Sequence, residues 1–146
     1  MITTYMICSG ALFFAIDTGR FLFLHRACKK KSRVWGIVGG KLEEKETAFE
    51  SLQREIQEEI GAVNIIKTIP LESYRSADQN FEFHTYVCTI KSEFIPILNS
   101  EHDGYAWVKY PFWPGPLHWG VKRTLQKKTN RLKIETVIEI LGNKNL

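Results

Sequence analysis

The chain is poor in the residues that most often announce chemistry on their own: 146 residues hold three cysteines and four histidines. Cys8, Cys28 and Cys88 stand far apart, form no CxxC pair, and are odd in number. An odd count cannot pair fully within the chain, and reduced thiols in the cytoplasm are expected. His25, His102 and His118 show no metal-ligand spacing. In mid-strand between Phe83 and Thr85, His84 reads as an ordinary strand residue. Long apolar runs are also missing. Met6–Ile16 is apolar but too short to span a bilayer, and it lacks both a basic leading segment and a cleavage site. It reads as a buried strand, and no membrane association is expected. With no repeat, low-complexity tract or linker, one domain over residues 1–146 is expected.

What is present is a basic balance, with a net charge of +4 and an isoelectric point near 9.0. It suits a polyanionic ligand without specifying one. The positive charge gathers at Lys29, Lys30, Lys31 and Arg33, and again at Lys122, Arg123, Lys127, Lys128 and Arg131. The first run also fits a solvated loop.

Apolar patterning predicts strands at Ile7–Ile16 and Arg20–Arg26, joined by a turn at Asp17-Thr18-Gly19. A basic loop follows at Ala27–Arg33, then a short strand at Val34–Val38 ended by Gly39-Gly40. Helical spacing covers Thr47–Ile60. Strands are expected at Val63–Thr68, interrupted by Pro70, at Phe81–Ile90 and at Ala106–Lys109. A proline-stiffened loop at Pro111–Pro116 leads into helices at Leu117–Lys127 and Ile134–Leu141. Strands on both sides of a central helix, with helix at the end, predict a mixed α/β sandwich.

The central helix is the informative part. Thr47 and Glu50 form a capping box, and Gly61 is placed to end the helix. Ala48, Phe49, Leu52, Ile56 and Ile60 cover an arc of roughly 120° and should pack on the sheet. Glu55, Glu58 and Glu59 lie within roughly 100° of one another, beside that arc, with the small Ser51 one turn earlier. Like charges so placed repel, and no lysine lies between Lys45 and Lys67 to offset them. A divalent cation would relieve the repulsion through oxygen ligands. An ExxEE cluster alone would also suit a plain solvated face, so the flanking pattern decides.

From Gly40 to Ala62 the chain reads GKLEEKETAFESLQREIQEEIGA. Gly40 is followed by five residues, Glu46, seven more, Arg54-Glu55-Ile56, one, Glu58-Glu59, one, and Gly61-Ala62. The segment resembles the Nudix box at every fixed position. Flanking segments extend the resemblance. Ile7–Arg26 resembles the opening strand pair of small Nudix enzymes, and Glu101-His102-Asp103-Gly104-Tyr105-Ala106-Trp107-Val108 the acidic loop before a Trp-containing strand. Before the box, Trp35-Gly36-Ile37-Val38-Gly39-Gly40 departs from the family in carrying Val38 where proline is usual.

The resemblance implies an α/β/α sandwich around a mixed β-sheet and hydrolysis of a diphosphate bond in a nucleoside diphosphate linked to another group. The cofactor implied is Mg2+, with Mn2+ as a substitute. Glu55 and Glu59 would be the core ligands, Glu58 a ligand directly or through water, and the Gly39 carbonyl a further one. Glu46 and Arg54 would hold loop and helix together, with Arg54 orienting the first carboxylate. Water attacking a diphosphate needs a base, and Glu58 and Glu101 are both candidates. Arg26, ending its strand, and Lys41 are candidates to hold phosphate. Phe81, Phe83, Tyr105, Trp107 and Trp113 are eligible to stack a base. The substrate is expected to be ADP-ribose-like, a dinucleoside polyphosphate or a modified nucleotide. An RNA 5′ end and a catalytically silent nucleotide-binding module are the alternatives, and a homodimer is left open. An isoprenyl diphosphate isomerase on this fold would need a catalytic cysteine, for which none of the three is placed.

Overall fold

The computed structural model describes residues 5–27 and 33–142. Cys28 and the lysines of the first basic run therefore lie outside the described residues. The sheet is built from β1 (Met6–Ala15), β2 (Arg20–Arg26), β3 (Trp35–Gly36), β4 (Val38–Lys41), β5 (Lys67–Arg75), β6 (Phe81–Ile90) and β7 (His102–Lys109). The helices are α1 (Ala48–Glu59), α2 (Trp119–Gln126) and α3 (Lys128–Leu141).

The sheet is mixed. β1 runs parallel to β6 along its whole length, and every other pairing between strands is antiparallel. On its other side β1 is shared. It pairs with β2 only at Phe14 and Ala15, next to the turn, and with β4 from Cys8 to Ala11. β2 diverges after those two pairs and continues with β7 and β3.

β1 and β2 read as unbroken apolar runs because both faces are covered. Ala11, Phe13, Ala15, Leu22 and Leu24 face α1, where Leu52, Ile56 and Ile60 complete one core. The alternate residues Leu12, Phe14, Phe21 and Phe23 face α2 and α3, where Val121, Leu125, Ile134 and Val137 complete the other. The period of two thus sorts one strand into two cores, which is the expected α/β/α sandwich. Among the described residues, no helix is long and apolar enough to cross a membrane.

Four expectations need correction. Gly39-Gly40 does not end a strand but lies inside β4, opposite Gly10 and Ser9 of β1; glycine here permits close backbone approach. Val63–Ile66 is not strand: Val63 and Ile65 pack against the α1-side core instead. Pro70 does not break β5, which runs through it with a register shift before Glu72. β5 closes one end of the strand order, where a missing N–H is tolerated. Phe49 is not on the buried face; it is exposed, and Ser51 takes its place at 0% exposure. Ser51 is small enough to let α1 approach β1 closely, and Ser9 Oγ lies 3.3 Å from its hydroxyl.

A candidate metal-dependent active site

The corrected face of α1 has a chemical consequence. It buries Ser51, Leu52, Glu55, Ile56 and Glu59, so two carboxylates point inward with the apolar side chains. Glu55 is 9% exposed and Glu59 1%. The local frame holds them there. Thr47 and Glu50 complete the capping box, with Thr47 Oγ1 accepting from Glu50 N and Glu50 Oε1 from Thr47 N. At the other end Gly61, at φ 90°, sends its N–H to the Ile56 carbonyl.

Arg54 clamps the incoming loop to the helix. Its guanidinium donates to Glu46 at 2.8 and 3.0 Å, to Glu55 Oε1 at 3.1 Å, to Glu58 Oε2 at 3.2 Å and to the Lys41 carbonyl at 3.1 Å. Five acceptors on three segments suit a rigid fork of donors. Arg54 therefore sits where a positioning role was expected.

Buried carboxylates carry an electrostatic cost. Burial pushes Glu59 up to about 9, opposed by the Gly39 N–H, which donates to Oε1 at 2.9 Å, and reinforced by the adjacent Glu55. Burial raises Glu55 as well, against Arg54. Without a cation, burial therefore favours the protonated form of Glu59.

The two box glycines play different parts. A Cβ on Gly39 would meet the Ser9 carbonyl oxygen at 2.1 Å, and φ there is 153°. A Cβ on Gly40 would meet Glu55 Oε1 at 2.5 Å. Backbone cannot yield, whereas the end of a glutamate can swing. Gly39→Ala is therefore expected to impair folding. Gly40→Ala should keep its melting temperature but displace the Glu55 carboxylate and weaken Mg2+ at least tenfold, as measured by calorimetry; roughly 10–100-fold is usual when even an outer partner of a metal is lost. Equal melting losses in the two variants would show that this division is wrong.

An open cleft of ≈ 890 Å³ runs over the carboxylates. Gly39, Glu55, Glu58 and Glu59 line it, and so do Arg26, Lys41 and Glu101. The candidate ligands, the two candidate bases, Arg54 and the candidate phosphate-holding residues thus all line this cleft. Glu58 is half exposed and engaged by Arg54. Glu101 arrives from the far side on a docked loop: Asn99 donates from its amide to the Glu58 carbonyl at 3.2 Å and accepts from Glu101 N at 3.0 Å. The Glu101 carbonyl in turn accepts from Ala27 N at 2.9 Å.

His102 belongs to this site although its sequence spacing argued against it. Its ring is buried, with Nδ1 3.3 Å from Glu59 Oε2 and no hydrogen bond of its own. Burial, and then the charge of Arg26, lower it to about 4 and keep it neutral. Glu59, Glu101 and His102 offer donor atoms that all lie within 4.8 Å of one another. A buried Glu59 carboxylate facing no cationic side chain, a neighbouring Glu55 shared with Arg54, and a buried ring nitrogen without a hydrogen bond fit a divalent cation.

A second cleft of ≈ 620 Å³ adjoins the first and shares Arg26, Ile37, Gly39, Gly40 and Lys41 with it. Its far wall carries Phe81, Phe83 and Trp119. Of the aromatic candidates, Phe81 and Phe83 are therefore in place. Trp107 packs on Phe94, and Trp113 packs on Phe21 and Phe23, so both are core; Tyr105 lines neither cleft. Trp119 was missed because helix α2 alone gives no sign of what its first residue faces. The other histidines have local duties. His25 pairs with Asp103 at 2.6 Å, His84 bonds Ser73 and Glu82, and His118 caps α2.

The NUDIX domain family matches residues 6–125. No curated protein matches the sequence. Among solved structures, a Nudix hydrolase from M. smegmatis, RenU, superposes with a TM-score of 0.71 at 20% identity, covering 97% of this chain and 91% of its own. A MutT protein from Methanosarcina mazei gives 0.68 at 22%, covering 91% and 98%. The NUDIX domain of Shewanella oneidensis NrtR, solved with ADP ribose, gives 0.68 at 17%, covering 90% of each. The chain belongs to the NUDIX domain family: it is a Nudix hydrolase, an enzyme acting on nucleoside diphosphate derivatives.

Proposed function

We propose that this single catalytic unit hydrolyses the diphosphate of a nucleoside diphosphate carrying a further group, of the ADP-ribose or dinucleoside polyphosphate kind. The observation behind this is the pair of clefts joined along β4. Phe81, Phe83 and Trp119 offer a stacking surface for a base. Arg26 and Lys41, common to both clefts, offer positive charge where a diphosphate would cross from one to the other. The carboxylates wait at the far end. The Shewanella domain of this fold, solved with ADP ribose, supports the reading.

Glu55, Glu58, Glu59 and the Gly39 carbonyl would hold Mg2+, with Mn2+ as a substitute, and the bound cation would supply charge neutralisation and phosphoryl polarisation. Water attacks one phosphorus, the bridging P–O bond breaks, and Glu101 takes the proton. Arg54 keeps Glu55 and Glu58 in register. The free thiols Cys8 and Cys88 support a reducing, cytoplasmic setting. The RNA-end alternative is weakened because Glu72 engages Arg123 and Lys127 of the second basic run.

A nucleotide panel tests the reading: ADP-ribose, dinucleoside polyphosphates, nucleoside triphosphates and 5′-triphosphorylated RNA, with Mg2+ and with excess chelator, in oxygen-18 water. We expect Mg2+-dependent cleavage, fastest on the first two, with the label on one phosphate. Undiminished turnover in chelator would defeat the mechanism. Tight binding of a nucleotide without any cleavage would establish the silent module instead.

A further inference from the structure

The residues so far assigned to the cation are oxygen donors, a set that suits Mg2+. Opposite them lies a nitrogen. His102 opens β7 and pairs with Arg26 across a register shift between His25 and Arg26. Consecutive strand residues point to opposite faces, so Glu101 and His102 would ordinarily diverge. Here Glu101 precedes the strand, in a turn tied down by Asn99, and both side chains come to Glu59. The His102 ring is 6% exposed, and Nδ1 is fully buried without a hydrogen bond. It faces Glu59 Oε2 at 3.3 Å. A buried ring nitrogen that makes no hydrogen bond is rare in a folded chain and calls for an explanation such as a bound ion.

We propose that His102 Nδ1 is a nitrogen donor to the cation held at Glu59. The site would then be a mixed nitrogen–oxygen one, biased toward Mn2+, Co2+ or Zn2+ relative to an all-oxygen site. The inference rests on the reading of the acidic cleft as a cation site. Imidazole suits the later divalent metals, whereas carboxylate, carbonyl and water suit magnesium. His102 thus sets which cation the enzyme prefers, while the helix carboxylates set that it binds one at all.

The test uses the full chain loaded with Mn2+ and examined by pulsed electron paramagnetic resonance. Directly bonded imidazole nitrogen should appear as hyperfine coupling, and labelling histidine with nitrogen-15 should change its pattern in the unmutated protein. The coupling should vanish in His102→Gln and persist in His25→Gln. Loss of even an outer partner typically weakens a metal roughly 10–100-fold. His102→Gln should therefore weaken Co2+ at least tenfold and Mg2+ much less. Bound Mn2+ with no nitrogen coupling would overturn the proposal and leave the acidic site standing. Coupling that survives His102→Gln would overturn it as well. If Mn2+ fails to bind at all, this inference and the cation reading fall together.

Discussion

Glu59→Gln is expected to lower turnover by several orders of magnitude while leaving the fold intact. The substitution keeps the shape of a side chain that is 1% exposed. Its carbonyl oxygen can still accept from the Gly39 N–H, now 2.9 Å from Glu59 Oε1. Its amide can donate toward the adjacent Glu55. What it removes is the charge that would face the cation, and each tenfold in rate corresponds to about 1.4 kcal/mol of lost transition-state stabilisation. The same variant has a pH signature. Burial raises Glu59 from its ordinary value to about 9. The unfolded chain loses this proton near its ordinary value of 4.5, and the native state keeps it to about 9. Stability of the cation-free protein therefore falls as pH rises through that window. A cation must displace the proton, so its affinity, and the stabilisation it gives, should rise with pH over the same range. Melting curves against pH, with and without Mg2+, should show this slope in the wild type and a reduced slope in Glu59→Gln. A variant retaining more than about a tenth of wild-type kcat, a loss under about 1.4 kcal/mol, would remove Glu59 from the cation site.

Glu101→Gln is expected to lower kcat by about 10²–10⁴-fold, the usual contribution of a positioned base, with little change in Mg2+ affinity. Two carboxylates compete for this role, and their surroundings differ. Glu58 is engaged by Arg54 at 3.2 Å on the helix that carries Glu55 and Glu59. The Glu101 carboxylate has no ion pair among the described residues, and it faces Glu59 across the cleft. Glu58→Gln should therefore weaken Mg2+ as well as slow the reaction. The discriminating measurement is a pair of pH–rate profiles at saturating Mg2+. Loss of the base flattens the acidic limb; loss of a ligand does not. A Glu101→Gln enzyme that keeps both its rate and its acidic limb returns the role to Glu58.

The helix was legible in the sequence almost to the residue because its determinants are local. A capping box, a closing glycine and carboxylates at helical spacing all lie within one stretch of chain. The two strands of the opening hairpin were legible for a similar reason, since apolar runs bounded by a tight turn need no distant partner to be recognised. What failed depends on distant partners. Phe49 and Ser51 exchange roles because β1 approaches the helix closely, which the helix pattern does not contain. Gly39-Gly40 looked like punctuation because the strand it pairs with is about thirty residues away. His102 was discounted on spacing, yet its site joins residues about forty positions apart through a sheet register and one asparagine. Trp119 came to the second cleft through the packing of α2, which no local pattern ties to β6.

The wall shared by the two clefts constrains how such an enzyme can change its diet. Residues of β4 and the end of β2 serve both sides, so altering them to suit a new base would disturb the acidic side too. The far wall of the second cleft is free of that burden. Phe81 and Phe83 come from β6 and Trp119 from the start of α2, elements that contribute none of the carboxylates. If that wall holds the base as proposed, substitution there would change the base or leaving group accepted and leave the carboxylates in place. A lineage built this way would diversify its substrates by changing one face of one groove, and its catalytic helix would be the last part to change.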